Sequence, residues 1–314
     1  MKKIKLGTST LEVPSIAVGC MRIHTLSPKE LGDFISFCVD NGFNFFDHAN
    51  VYQLGKCEEL FGQAFAETKI KRESVIFQTK CGIVKGDGKT VAFDFSKDEI
   101  INSVDASLKR LKTDYIDALL LHRPDILVEP EQVAEAFDKL HSSGKVRWFG
   151  VSNQKPMQIE LLRKFVKQPI VINQLQLSIT NCTMLSQDLH VNQSYTDRAI
   201  DRDGGIVEYC RIKDITIQTW SPFQIAQTGL FQGSFIDNEK FPALNEKLGE
   251  IAKKYSVSKN AIAVAWILRH PANMQVVTGT TKTERLKDCF QATDIRLTHK
   301  EWYEIYIAGG NLLP

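Results

Sequence analysis

Residues 44–49 read NFFDHA, in which an apolar pair is followed directly by a carboxylate, Asp47. Two later stretches have the same form, because VIFQTK at 75–80 ends at Lys80 and LLLH at 119–122 ends at His122. Short apolar runs are typical of parallel strands buried on both faces, and polar residues at their carboxyl ends are typical of the catalytic face of a barrel. The three stretches therefore predict neighbouring strands of a (β/α)8 TIM barrel, with one site where those strands end.

Beyond these stretches, apolar runs alternate with amphipathic runs along most of the chain. This alternation predicts a parallel sheet with right-handed crossovers, and eight strand candidates favour a closed barrel over an open doubly wound sheet. The strand candidates are Ser15–Met21, Phe43–Asp47, Ser74–Lys80, Tyr115–Leu121, Val146–Ser152, Ile170–Leu175, Thr216–Ser221 and Gln275–Thr278. The helix candidates are Pro28–Asp40, Glu58–Glu67, Lys97–Leu111, Pro130–Ser143, Gln158–Phe165, Gly205–Arg211, Asn260–Arg269 and Glu284–Ala292.

The segments outside this alternation also have predicted places. A turn signal at residues 7–9 predicts an N-terminal β-hairpin, and Ser27 and Ser96 are typical helix caps. Two long segments, Ile179–Gly204 and Phe223–Phe241, follow strands and are expected to lie over the mouth as substrate loops. Since α/β barrels of roughly 250 residues form one domain, residues 1–314 are predicted to be a single domain.

Composition excludes several classes of protein. Lys and Arg total 39 and Asp and Glu total 37, so no global charge bias draws the chain onto nucleic acid or a membrane surface. The N-terminus lacks the apolar core of a signal peptide, and no run approaches the ~20 apolar residues that span a bilayer, which predicts a cytoplasmic protein. Seven scattered cysteines without a C-x-x-C pair indicate neither a disulfide framework nor a zinc site.

Asp47 and Lys80 would each be expensive to bury alone, so a mutual ion pair is expected. That pair could be a purely structural salt bridge at the barrel rim. Tyr52, just past Asp47, becomes a candidate acid beside Lys80, because an ammonium favours phenolate and is expected to lower the tyrosine pKa from about 10. His122 could orient a carbonyl or share the proton, although a histidine at a strand end is often simply hydrogen-bonded.

A second group of residues is suited to a cofactor. Ser152, Asn153 and Gln174 supply hydroxyl and amide groups for a carboxamide, and Trp220 offers a flat stacking face. Residues 279–285, GTTKTER, follow the eighth strand and open a helix, which is the usual phosphate site of this barrel. A lysine and an arginine at a helix start oppose the helix dipole unless an anion compensates them, so an anion is expected there.

Two other nucleotide-binding patterns are only partly present in the chain. Tyr52 and Lys56 fit the Y-x-x-x-K pattern of short-chain dehydrogenases, but the glycine-rich turn G-x-G-x-x-G of a Rossmann site does not occur in the chain. GDGKT at 86–90 is similar to the end of a P-loop, yet Ile83 stands where the first glycine is required. A surface turn is the better interpretation of this stretch.

Taken together, these motifs resemble those of the aldo-keto reductases, in order and in spacing over nearly the whole chain. The matching stretches are FDHANVY at 46–52, QTK at 78–80, LLHRPD at 120–125, GVSN at 150–153, NQ at 173–174, WSP at 220–222 and GT at 279–280. The resemblance implies NADP(H)-dependent reduction of a small-molecule aldehyde or ketone, with Tyr52 as general acid, Asp47 and Lys80 tuning it, and His122 positioning the carbonyl. The residues it implies for cofactor binding are Ser152, Asn153, Gln174, Trp220, Ser221, Gly279, Thr280, Thr281, Lys282 and Arg285.

The chain also departs from the family pattern. Many members have tyrosine or phenylalanine in place of Trp220, and some have lysine in place of Gly279. A nicotinamide-binding sensor or regulatory subunit with little turnover is the alternative function, since some proteins with this barrel bind cofactor without fast chemistry. A metal-dependent barrel hydrolase is disfavoured, because no clustered histidine and carboxylate ligand set is evident.

Overall fold

The computed structural model describes residues 1–225 and 233–314. Within these ranges the chain forms a closed parallel β-barrel with helices between the strands, preceded by an antiparallel hairpin. The strands are β1 (Lys3–Lys5), β2 (Glu12–Pro14), β3 (Ile16–Gly19), β4 (Phe45–Asp47), β5 (Ile76–Cys81), β6 (Ile83–Gly86), β7 (Lys89–Phe93), β8 (Ile116–Leu121), β9 (Val146–Ser152), β10 (Ile170–Gln176), β11 (Thr216–Trp220) and β12 (Met274–Thr278). The helices are α1 (Pro28–Asp40), α2 (Lys56–Glu67), α3 (Lys97–Leu111), α4 (Pro130–Ser142), α5 (Pro156–Arg163), α6 (Thr183–Leu189), α7 (Ile206–Ile212), α8 (Pro242–Tyr255), α9 (Lys259–Leu268), α10 (Thr283–Gln291) and α11 (His299–Ala308).

The predicted (β/α)8 barrel is confirmed. Its strand order is β3-β4-β5-β8-β9-β10-β11-β12, and β12 pairs with β3 to close the ring. Each of the eight strand candidates supplies one barrel strand. Because all eight run parallel, their carboxyl ends lie on one face, where this architecture places its chemistry.

The predicted N-terminal hairpin is also confirmed, and it closes the opposite end of the barrel. Leu6 and Val13 are fully buried in a cluster with Phe45 of β4 and Ile172 of β10. The turn depends on Gly7, which has a φ of 53°, because a Cβ there would lie 2.4 Å from the Val171 carbonyl oxygen. The hairpin therefore seals the interior on the side away from the strand ends.

Helix starts follow the predicted capping signals. The Ser27 side chain accepts from the amide of Glu30, and the Glu30 carboxylate accepts from the Ser27 amide, which completes a capping box at α1. The Ser96 side chain accepts from the amide of Glu99 at the start of α3. Both helices have the predicted bounds, since a cap that satisfies the free amides fixes where the helix begins.

Several elements were not predicted. Helix α8 and helix α11 were missed, although α8 begins with Pro242 and α11 has a capping box between Thr298 and Glu301. The turn predicted at 86–90 lies in a hairpin of β6 and β7. In the described residues no helix is both long enough and apolar enough to cross a bilayer.

The two segments predicted to be substrate loops contain some regular structure. The segment Ile179–Gly204 contains α6 and is tied to the chain's last residues, because Asn311 Nδ2 donates to the Ile179 carbonyl at 2.8 Å. Of the segment Phe223–Phe241, residues 226–232 lie outside the described residues. On either side of them, Gln224 and Ser234 form an antiparallel bridge.

Candidate active site

The four predicted catalytic residues come together at the carboxyl ends of three adjacent strands. Asp47 is the last residue of β4, Lys80 is the penultimate residue of β5, and His122 follows β8 directly. Tyr52 lies in the turn between β4 and α2. Because β4, β5 and β8 are neighbours in the barrel, residues far apart in sequence meet at one side of the mouth.

Lys80 is the centre of this group. Its Nζ donates to both carboxylate oxygens of Asp47 and to the carbonyl of His48, each at 2.8 Å, and to the hydroxyl of Tyr52 at 3.1 Å. The side chain of Lys80 is fully buried and that of Asp47 is 3% exposed. Burial alone would lower the pKa of Lys80, but Asp47 and Tyr52 together raise it. The ammonium therefore stays charged beside the tyrosine oxygen.

The turn that carries Tyr52 has an unusual backbone. Gln53 and Leu54 have φ values of 49° and 53°, and Gly55 follows with 88°. Left-handed residues other than glycine are strained, and such strain is frequent at functional sites, where the surrounding structure enforces it. Lys80 and the start of α2 hold the two ends of this turn, so the phenol is fixed relative to the ammonium.

Burial has the largest influence on the acidity of Tyr52. It raises the pKa of this phenol above 10, and Asp47 acts in the same direction, while the nearby Lys80 acts to lower it. The predicted net lowering of the tyrosine pKa is therefore wrong, because loss of hydration of the phenolate outweighs the ammonium. Tyr52 consequently holds its proton at neutral pH. Since its oxygen already accepts from Lys80, that proton is free to be donated elsewhere.

His122 faces the tyrosine as a neutral ring. The two rings are nearly perpendicular, with centroids 6.0 Å apart. Burial lowers the pKa of His122 well below 6.5, and the cations Lys80, Arg123 and Lys85 lower it further. A neutral imidazole carries one N–H donor and one acceptor nitrogen, so His122 is suited to position an oxygen rather than to act as a charged acid.

A network of buried glutamine side chains supports Asp47 from the barrel interior. Gln78 and Gln174 each donate from Nε2 to Asp47 Oδ1, at 2.6 and 3.1 Å, and both also donate to Gln218 Oε1. Gln218 in turn donates to Gln275, whose amide donates to a backbone carbonyl of β2. A chain of hydrogen bonds thus connects the hairpin to Asp47 and fixes the carboxylate as an acceptor.

The residues predicted to hold a carboxamide form one hydrogen-bonded group on the other side of the mouth. Ser152 Oγ donates to the carbonyl of Gln174 at 3.0 Å, and Asn153 Nδ2 donates to Ser152 Oγ at 2.7 Å. Trp220 Nε1 donates to Asn153 Oδ1 at 3.4 Å. Gln174 uses its Nε2 toward Asp47 and Gln218, which leaves its Oε1 to accept from an amide. Ser221, just past β11, has a left-handed backbone with a φ of 57°.

The predicted phosphate segment lies after β12, at the same face of the barrel. Helix α10 starts without a side-chain cap from Lys282, whose own amide donates to Thr280 Oγ1 at 3.1 Å. Unsatisfied amides and the positive end of the helix dipole together form an anion site. Gly279, Thr280, Thr281 and Arg285 lie on either side of this start, and Lys282 and Arg285 are exposed. The segment therefore fits a phosphate group.

Some residues of the site were missed in the sequence. Gln78 and Gln218 lie two positions before Lys80 and Trp220, so alternation along a strand places each pair on the same face. Arg123 has no strand-end signal of its own, because it directly follows His122. In the described part of the chain, no group of three or more His, Cys, Asp or Glu side chains could hold a metal ion.

Comparison with known proteins identifies the family of the chain. The sequence model of the Aldo/keto reductase family matches residues 4–308 of this chain. The chain belongs to this family. It is 35% identical to the uncharacterized oxidoreductase YcsN of Bacillus subtilis, with 98% of each chain covered, and 31% identical to the 6-dehydroglucose reductase of Agrobacterium fabrum, with 98% of this chain and 97% of that one covered.

A solved structure shares the fold. The thermostable aldo-keto reductase Tm1743, crystallised with the inhibitor epalrestat, superposes with a TM-score of 0.76 at 25% identity, and the match covers 98% of this chain and 100% of that one. Aldo/keto reductases are oxidoreductases that use nicotinamide cofactors. This chain is therefore an oxidoreductase of a family that reduces carbonyl compounds.

Proposed function

We propose that residues 1–314 form one catalytic domain that reduces an aldehyde or ketone with NADPH. The observation that carries the proposal is the position of Lys80 Nζ, which bonds to the Asp47 carboxylate and to the Tyr52 hydroxyl at once. When bound, the cofactor supplies a hydride to the carbonyl carbon. The residues of the chain then have to bind the carbonyl oxygen and deliver a proton to it.

Tyr52 is the proton donor in this proposal. Its oxygen accepts from Lys80, so the phenolic proton can be directed to the substrate oxygen, and the developing phenolate is stabilised by the ammonium. Asp47 and its glutamine donors keep Lys80 in place. His122, neutral and beside Tyr52, positions the same oxygen through a ring nitrogen.

The remaining predicted residues are proposed to bind the cofactor. Ser152, Asn153 and Gln174 would hold the carboxamide, and Trp220 would stack on the nicotinamide ring. The segment from Gly279 to Arg285 would hold the adenosine phosphates. A sensor with little turnover stays the alternative, and the contact between Lys80 and Tyr52 favours the enzyme because binding alone does not require it.

Replacing Tyr52 with phenylalanine tests the proposed acid. The substitution removes the transferable proton and its oxygen, so reduction of a simple aldehyde should fall by ~100-fold or more. NADPH affinity, measured by fluorescence titration, should be largely kept. A Tyr52→Phe protein that retains more than roughly a tenth of wild-type turnover shows that Tyr52 is not the donor, while a wild type without turnover supports the sensor.

Replacing Arg285 with alanine tests the cofactor choice. Arg285 at the start of α10, with Lys282, is proposed to pair with the adenosine 2'-phosphate, for which the guanidinium fork is well suited. Arg285→Ala should weaken NADPH binding by about tenfold to a hundredfold and leave NADH nearly unchanged. Because a Cβ at Gly279 meets open space, Gly279→Lys is a matched variant that should strengthen NADPH binding. Equal losses of NADPH and NADH in Arg285→Ala would contradict this assignment.

A further inference from the structure

Arg123 is a cation at the mouth that the proposed mechanism does not use. It follows His122 in the chain, is partly buried, and its guanidinium carbon lies 5.4 Å from the centroid of the Trp220 ring. Trp220 ends β11, so Arg123 extends across the mouth from the end of β8 towards the opposite strands. The guanidinium therefore lies between the catalytic residues and the residues proposed to hold the nicotinamide.

Among the described residues, Arg123 differs from the other partly buried arginines in having neither a carboxylate nor a backbone carbonyl as partner, whereas Arg198 and Arg269 donate to backbone carbonyls. Arg72 and Arg110, which are also partly buried, pair with Asp117 and Glu58 at 2.7 Å. Within the described residues Arg123 takes part in no ion pair, and residues 226–232, AQTGLFQ, contain no Asp or Glu. A partly buried guanidinium without an anion loses hydration, and the contact with the Trp220 ring offsets only part of that loss, so an anion supplied by a ligand would be favourable there.

The surroundings of Arg123 favour an anion as well. Burial lowers the pKa of this guanidinium, and the charged groups acting on the adjacent His122 are all cations, Lys80, Arg123 and Lys85. Gln176, the residue of β10 paired with Trp220, has a buried Nε2 without a partner among the described residues. Two donors at the same end of the barrel, the Arg123 guanidinium and the Gln176 amide, thus have no acceptor among the described residues and are available to a ligand.

We propose that Arg123 binds a carboxylate of the substrate, assisted by Gln176, so that the enzyme acts on carbonyl compounds that also carry a carboxylate. The inference rests on the proposed reductase function. One uncompensated guanidinium matches the single charge of a carboxylate and can bind both of its oxygens with its fork. Because Arg123 adjoins His122, the carboxylate and the carbonyl belong to one small molecule.

A pair of isosteric aldehydes tests the proposal. The carboxylate of 4-carboxybenzaldehyde and the nitro group of 4-nitrobenzaldehyde have the same shape, but only the first is charged. In Arg123→Met, the kcat/KM for 4-carboxybenzaldehyde relative to that for 4-nitrobenzaldehyde should fall by about tenfold to a hundredfold. The fall should come from a higher KM for the carboxylate substrate. Arg123→Lys, which keeps the charge without the fork, should retain part of the ratio. Lys89→Met, in the exposed strand β7, is the control and should leave the ratio unchanged.

Two outcomes overturn the role of Arg123. In one, Arg123→Met loses activity equally on both aldehydes; in the other, its NADPH affinity falls in parallel, which would make Arg123 a cofactor residue. Wild-type reduction of 4-nitrobenzaldehyde tests the reductase function by itself, because this substrate has no carboxylate. If neither aldehyde is reduced, the carboxylate site can still be tested by binding. The Kd of 4-(hydroxymethyl)benzoate is then measured by tryptophan fluorescence in the presence of NADP+. An equal Kd in wild type and Arg123→Met refutes the carboxylate site.

Discussion

At the scale of single residues, Lys80 connects stability with the proposed chemistry. Its Nζ neutralises Asp47 and donates to Tyr52 inside a buried cluster. Lys80→Met should leave the carboxylate buried without a cation and lower the unfolding free energy by ~3–5 kcal/mol. The same substitution removes the group that acts to lower the pKa of Tyr52, so the phenol becomes a poorer acid and turnover falls. Thermal denaturation and NADPH oxidation on one preparation measure both effects.

A second substitution separates the two effects of Lys80. In the double variant Asp47→Asn/Lys80→Met the uncompensated charge is gone, and an asparagine oxygen can still accept from Gln78 and Gln174. The double variant should therefore recover much of the lost stability without recovering turnover. If Lys80→Met alone has an unshifted Tm and normal turnover, the buried cluster has neither role.

At the scale of elements, two glycines within helices give opposite predictions for the same change. In α2, a Cβ at Gly62 would lie 2.2 Å from the backbone oxygen of Arg110, so Gly62→Ala forces α2 away from α3 and should destabilise by ~1–3 kcal/mol. In α1, a Cβ at Gly32 meets nothing within 4 Å, so Gly32→Ala should stabilise by ~0.5–1 kcal/mol through helix propensity. Urea unfolding measures both, and shifts of the same sign would show that packing between α2 and α3 is not what requires glycine.

The elements also show how far the sequence can be interpreted. Local signals were sufficient for the eight barrel strands and for the exact bounds of α1 and α3, because apolar runs and caps act over a few residues. The position of Asp47, Lys80 and His122 at the predicted strand ends was sufficient to predict that they lie close together. The hydrogen bond between Gln78 and Gln218 spans 140 residues and exists only because the barrel closes, so no local pattern predicts it. The predicted direction of the Tyr52 pKa shift was wrong for the same reason. The shift depends mainly on how deeply the phenol is buried, and burial is a property of the whole fold.

At the scale of the whole molecule, buried histidines make stability depend on pH. Burial lowers the pKa of His48 to about 3 and that of His270 to about 4, and it lowers the pKa of His122 well below 6.5. An unfolded chain binds a proton at each of these histidines below pH ~6.5, whereas the folded chain does not. Stability is therefore complete above pH ~6.5 and decreases as the pH falls, by up to ~1.4 kcal/mol per pH unit for each histidine.

His48 allows one of these contributions to be removed. Its ring packs against Phe61 with centroids 4.5 Å apart, and both of its nitrogens are buried without hydrogen-bond partners among the described residues. His48→Leu keeps an apolar contact and the backbone carbonyl that accepts from Lys80, so the slope of unfolding free energy between pH 5 and 6 should fall by about one proton, ~1.4 kcal/mol per pH unit. Phe61→Leu is the control, because it should lower stability at every pH without changing the slope. An unchanged slope in His48→Leu would mean that His48 becomes protonated in the folded state and does not oppose acid unfolding.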